Sequence, residues 1–123
     1  MDKKELDELI LRSYGVKAEH PFDSDFDTAV YRHTDNRKWF AIVMNIKRDR
    51  LTAGASGYTD VVNLKCEQEM IPSLLGEEGI FPAYHMSKAH WISVLLDGSV
   101  DADTLEWLLG ISYRLTSSKK KRR

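Results

Sequence analysis

Thr28-Ala29-Val30-Tyr31-Arg32-His33, then Thr34-Asp35-Asn36-Arg37, then Lys38-Trp39-Phe40-Ala41-Ile42-Val43-Met44-Asn45 is the stretch that decides the fold. Its first part has strand composition with partial alternation. Its middle is a polar turn, and its last part is a more apolar strand. Two strands joined by a short polar turn predict a β-hairpin. The apolar run Phe40–Met44 is far short of the ~20 residues that span a bilayer.

Working outward, Val61-Val62-Asn63-Leu64-Lys65-Cys66 predicts a third strand. Between it and the hairpin, residues 46–60 read as a loop with a basic cluster, Lys47, Arg48 and Arg50, followed by Ala53-Gly54-Ala55-Ser56-Gly57. Those glycines lack the Gly-Lys-Ser/Thr ending of a phosphate-binding P-loop. Ile80–Met86 leads to a turn at Ser87-Lys88-Ala89. His90–Leu96 then reads as a strong strand, broken by Asp97-Gly98.

Three segments have helical character. Leu6, Leu9, Ile10 and Tyr14 recur at helical spacing and predict a helix over residues 3–14, stopped by Gly15. Residues 15–26 form a linker around His20-Pro21-Phe22, with Phe22 and Phe26 expected to anchor it. Glu67–Glu78 carries Met70, Leu74 and Leu75 on one face. Pro72 would cost ~3 kcal/mol inside a helix, so a short helix kinked or restarted near Pro72 is expected, closed by Gly76 and Gly79. The last helix opens at Asp101 or Asp103, with Asp103 and Glu106 spaced as a capping box. Leu105, Leu108, Leu109, Ser112 and Leu115 form its buried stripe, widened by Trp107 and Ile111, and its end is expected near Ser117.

The resulting order is α-β-β-β-α-β-β-α without an internal repeat. Strands in succession with short turns imply an antiparallel sheet, with the helices packed on one face: an α+β protein. The 123 residues suit one domain over residues 1–118, with residues 119–123 as a basic tail. Hydrophobic residues at 42% and charged residues at 30% exclude a disordered or collagen-like chain. Met1–Ile10 has no apolar h-region, so no secretory signal is expected and the expected location is cytoplasmic. The one cysteine, Cys66, excludes an intrachain disulfide and a multi-cysteine zinc site.

Net charge is −1, from 18 Lys and Arg against 19 Asp and Glu. Five of the cations are Lys119, Lys120, Lys121, Arg122 and Arg123. Without them 13 cations face 19 anions, a net of −6. An acidic body with a basic tail suits an anionic polymer or membrane surface; a solvated terminus is the plainer explanation of the tail.

Ala83-Tyr84-His85-Met86-Ser87-Lys88-Ala89-His90-Trp91, followed by Leu96-Asp97-Gly98-Ser99-Val100, resembles the MmcQ/YjbR family. Asn63-Leu64-Lys65-Cys66, His20-Pro21-Phe22 and Ser112-Tyr113-Arg114-Leu115 support the resemblance over almost the whole chain. It implies a CyaY-like, secretion-chaperone-like α+β fold and a DNA-binding label. Gln68 departs from the proline that commonly opens the middle helix, Ser87 from the usual asparagine, and Ala89 from a frequent charged residue.

The first chemical constellation is His85, Lys88, His90 and Trp91, with Lys65 as a neighbour. Lysine and imidazole offer donors to phosphate, and an indole offers a stacking face to a base. The alternative is that Trp91 packs in the core and the histidines satisfy backbone groups beside it. His85 and His90 lack the i, i+4 spacing of helical zinc ligands, so neither a metal nor a cofactor is expected. Cys66 ends an apolar strand, where cysteine behaves as a small buried hydrophobe. Ser87 and Ser93 have no nucleophile-elbow context. Glu77-Glu78, Asp101 and Asp103 sit at helix ends, where capping and solvation explain them. Trp39, Trp91 and Trp107 each have a core explanation, and an exposed one would mark a contact surface.

The expectation is a non-catalytic protein that binds nucleic acid through Lys65, His85, Lys88, His90 and Trp91, the Lys47-Arg48-Arg50 loop and the tail. It has no catalytic residues and no membrane contact, and is a monomer or weak dimer. The alternatives are a chaperone-like protein-interaction module, and an enzyme acting on a small molecule through His85 and His90.

Overall fold

The structure, a computed structural model, describes residues 1–118. Helix α1 spans Lys3–Tyr14. Asp2 caps it: its carboxylate accepts from the Glu5 N–H, and the Glu5 carboxylate accepts from the Asp2 N–H, each at 2.9 Å. This reciprocal pairing satisfies two donors that a helix start leaves orphaned. Gly15, at φ 69°, ends the helix in the left-handed conformation and donates to the Leu11 carbonyl.

The strands are β1 (Ala29–Arg32), β2 (Trp39–Lys47), β3 (Tyr58–Lys65), β4 (Ile80–Pro82) and β5 (Trp91–Leu95). They form one sheet in the order β1-β2-β3-β5-β4, with every neighbouring pair antiparallel. Between β3 and β4 comes the one-turn helix α2 (Ile71–Leu74), and α3 (Ala102–Thr116) closes the chain. The element order is the one the sequence predicts.

Helix α3 lies across β2 and β3. Ala29 and Tyr31, Ala41 and Val43, Val62 and Leu64, and Ile92 and Val94 form the covered face of the sheet. They share one core with Leu6, Leu9 and Ile10 of α1 and Leu105, Leu108 and Leu109 of α3. A β-bulge adjusts the face of β2. Tyr31 pairs with Ala41 but Arg32 pairs with Trp39, leaving Phe40 as an extra residue. Phe40 and Ala41 therefore both enter the core, while Trp39 and Ile42 turn to the other face.

Ser112 explains a polar residue in the α3 stripe. Its hydroxyl, fully buried, donates to the Phe40 carbonyl at 2.6 Å and accepts from the Lys65 N–H at 2.9 Å. It bridges β2 and β3 just past the bulge. His33 is also buried, ringed by Phe40 and Tyr113 at 5.1 and 4.3 Å. The Thr116 hydroxyl donates its proton to the Ser112 carbonyl, so His33 Nε2 is the donor across the 2.8 Å contact with Thr116 Oγ1.

The restart expected near Pro72 is present: a 3-10 turn at Gln68–Met70 runs into α2, and Pro72 sits in the first turn, where a missing N–H costs nothing. Other expectations change. The 46–60 loop is shorter, because β2 runs to Lys47 and β3 begins at Tyr58, with a 3-10 turn at Arg48–Arg50. Phe26 is 75% exposed and anchors nothing; the linker is held by buried Val16 and by the backbone bridge between Glu19 and Val30. Asp101, not Asp103, caps α3, accepting from the Thr104 N–H at 2.7 Å. Trp107 does not widen the buried stripe: it is 53% exposed, because α3 already buries a full face through its leucines.

Candidate functional site

The face of the sheet opposite the helices carries Val30 and Arg32, Ile42 and Met44, Val61, Asn63 and Lys65, and Trp91, Ser93 and Leu95. This follows from the period-two alternation of strands and the pairing register. Two irregular segments lie over this face.

The first covers residues 20–28. Asp25 organises it: one carboxylate oxygen accepts from the Asp27 and Thr28 N–H groups at 3.2 Å, and the other from the Thr28 hydroxyl. Phe22 meets the Trp39 ring edge-on at 6.2 Å. The second covers residues 83–90 and is tied down by a closed polar triangle. Buried Asn63 donates from Nδ2 to the Tyr84 carbonyl at 2.9 Å, the Tyr84 N–H donates to Ser93 Oγ at 2.9 Å, and the Ser93 hydroxyl donates to Asn63 Oδ1. Lys88 Nζ adds a bond to the Ala83 carbonyl at 2.9 Å. His85 follows in a left-handed conformation, φ 61°, its ring 4.0 Å from that of Tyr84.

A groove of about 350 Å³ opens between the two segments. Ile42, Met44 and Asn63 line it from the sheet, Phe22 and Trp39 from one side, and Tyr84, His85 and Met86 from the other. It runs on into a second hollow of about 340 Å³, bounded by Ile46, Lys47, Arg50 and Tyr58. His85, Tyr84, Met44, Asp25 and Thr28 line both.

The residues predicted from sequence are distributed as follows. Lys47, Arg50 and His85 share the second hollow, though they come from distant parts of the chain. Lys65 and Trp91 pair across β3 and β5, each half-buried. Lys88, His90 and Trp91 are not among the groove's lining residues, so the pairing of His85 with His90 that a catalytic reading needs is not made there. His90 is exposed and joins the β3 end through its carbonyl, which accepts from the Cys66 N–H at 2.8 Å. Arg48 acts on Asp97: the Ser99 hydroxyl chiefly, and Arg48 to a lesser extent, hold that carboxyl below its ordinary range. Lys119–Arg123 lie outside the described residues.

Cys66 is buried, and burial, with Glu67 adding to it, pushes the thiol up to about 11. At neutral pH it is a protonated, enclosed thiol, the state least suited to nucleophilic attack. Among the described residues no group of three or more His, Cys, Asp or Glu side chains is placed to hold a metal ion. No helix among them is long and apolar enough to cross a membrane.

Sequence reasoning missed the groove itself, and with it Phe22, Met44, Asn63 and Tyr84 as a group. One signal was present: Asn63 is a carboxamide inside the apolar strand Val61-Val62-Asn63-Leu64, which asks for a buried polar partner. It also missed Arg32, whose guanidinium lies 5.8 Å from the Trp39 ring centroid while Nε donates to Glu19 at 3.0 Å.

Comparison with known proteins agrees with this architecture. The family model described as YjbR matches residues 11–115. The uncharacterised protein YyaQ of Bacillus subtilis is 32% identical over 116 residues, 94% of this chain and 98% of its own length. A crystal structure of a Pseudomonas syringae protein, structural-genomics target PsR293, superposes with a TM-score of 0.93 at 38% identity, covering 95% of this chain and 100% of that one. The solution NMR structure of the same target gives 0.88 at 36% identity, covering 100% and 98%. Deinococcus radiodurans DR2400 gives 0.70 at 26% identity, covering 98% of this chain and 80% of that one.

Proposed function

The chain belongs to the YjbR family, and from that premise we propose that it is a non-catalytic binding protein whose ligand is nucleic acid. One observation carries the reading: Lys47 at the end of β2, Arg50 from the turn that follows, and His85 from the segment before β5 line one hollow beside the open sheet face. Cations gathered beside a groove supply the sequence-independent attraction that dominates nucleic-acid affinity. Lys65 beside Trp91 extends the surface with a further cation and a half-exposed indole. Asp25 also lines this hollow and Asp49 lies 3.9 Å from Arg50 Nε, so the two carboxylates offset part of the positive charge.

Fluorescence anisotropy with labelled single- and double-stranded oligonucleotides at several salt concentrations tests the proposal. The double variant Lys47→Ser/Arg50→Ser is expected to lower the slope of log K against log salt by about 1.4 on single strands or about 1.8 on duplex. Absence of binding to either form at low salt would overturn it.

A second reading has its own observation. Pairing of β1 with β2 stops at Ala29 and Val43, leaving Met44–Lys47 with β3 as its strand neighbour on one side only. A free strand edge accepts an extended peptide by main-chain hydrogen bonding. Salt-insensitive binding of a peptide, abolished by a proline at Asn45, would favour this protein-interaction role.

A further inference from the structure

The groove is built in two chemically different halves that meet at His85. One half is walled by an indole, a phenyl ring and two thioethers, from Trp39, Phe22, Met44 and Met86. The other half adds Lys47 and Arg50. We propose that the groove receives one unpaired base of a single-stranded nucleic acid in its apolar half, with the adjoining phosphate held at Lys47 and Arg50. This rests on the nucleic-acid reading and specifies the form of the ligand.

The lining chemistry supports it. Aromatic rings and polarisable sulfur pack well against the faces of flat heterocycles, and every base has such a face. The apolar half, at about 350 Å³, lies at the small end of ligand sites, the size for one base and its sugar. A base inside a duplex is stacked and paired, with only its edges in the grooves, so only an unpaired or extruded base can enter a hollow whose floor is a sheet. The Asn63 carboxamide on that floor is committed to Tyr84 and Ser93. Recognition of base edges therefore falls to the other polar side chains of the lining, Ser24, Tyr84 and His85. Sequence preference is expected to be slight.

The test uses the full chain carrying Trp107→Phe, which leaves Trp39 and Trp91 as its two indoles. The probes are an oligothymidylate eight-mer, an abasic eight-mer of the same charge, thymidine monophosphate and a duplex of matched length. The oligothymidylate is expected to bind about tenfold more tightly than the abasic chain, the margin of one stacked base, and to quench indole emission. Phe22→Ala, at a side chain already 40% exposed and so tolerable to the fold, is expected to remove most of that margin and leave the abasic affinity unchanged. Equal affinity for abasic and thymidylate chains, or tighter binding of the duplex, would overturn the base pocket while leaving nucleic-acid binding in place. Monophosphate binding as tightly as the eight-mer would overturn it in favour of a free-nucleotide site. Failure of every probe at low salt would remove both readings.

Discussion

Ser112→Ala removes a single oxygen from the centre of the molecule. That oxygen donates to the Phe40 carbonyl at 2.6 Å and accepts from the Lys65 N–H at 2.9 Å, in a fully buried position. Both partners are backbone groups of adjacent strands that meet the serine instead of each other. Each buried group left unpaired costs about 1–3 kcal/mol, so the variant, which orphans two, is expected to lose roughly 2–6 kcal/mol. For a domain whose whole stability is about 5–15 kcal/mol, that is a large fraction. With a urea m-value of ~2 kcal/mol/M, the midpoint falls by about 1–3 M. Urea melts followed by tryptophan emission measure it. Ser117→Ala is the control, because its hydroxyl donates to the Tyr113 carbonyl at a helix end partly open to water and should cost under ~1 kcal/mol. A Ser112→Ala loss below ~1 kcal/mol with an unchanged m-value would refute the reasoning. It would mean that β2 and β3 close on each other directly and the hydroxyl is not needed as a bridge.

Asn63→Ala and Ser93→Ala are each expected to cost about 1–3 kcal/mol. The double variant should lose at least ~0.5 kcal/mol less than the sum, because the two share a bond; strict additivity in urea melts would contradict the closed triangle with Tyr84. Cys66 holds its proton up to about 11 in the folded state against an ordinary 9.0, so between those values the unfolded thiol ionises first. Stability from this group is then full below pH 9 and lost as pH rises toward 11. Thermal melts across that window should show a steeper decline for the wild type than for Cys66→Ala, and parallel profiles would count against it. Pro72→Ala should destabilise by about 0.4–1 kcal/mol in a urea melt, because the ring pre-sets the first turn of α2; a gain in stability would mean that the 67–78 segment prefers one continuous helix.

What could be read from the sequence was local. Leu6, Leu9 and Ile10 with Gly15 define α1, because a 3.6-residue period and a left-handed stop are properties of neighbouring residues. The polar turn 34–37 between apolar strands defines the hairpin for the same reason, and the leucine stripe defines α3. The succession of strands without long crossovers then leaves an antiparallel sheet with helices on one side. Lys47, Arg50 and His85 were legible as donors to an anion by residue type alone. Their meeting in one hollow was not.

Non-local packing decided the remainder. Strand β2 is apolar on both faces, so its pattern does not say which face the helices cover; the bulge at Phe40 and the seating of α3 on β2 and β3 settle that. Trp107 lies outside the core because the leucines of α3 had already filled the space against the sheet. The groove joins residues 22–28, 39–50, 58–63 and 84–86. Periodicity and capping report what a residue's immediate neighbours require. A cavity is the space that close-packed elements leave between them, so its walls are set by how those elements stack, and its chemistry emerges only once the chain has folded.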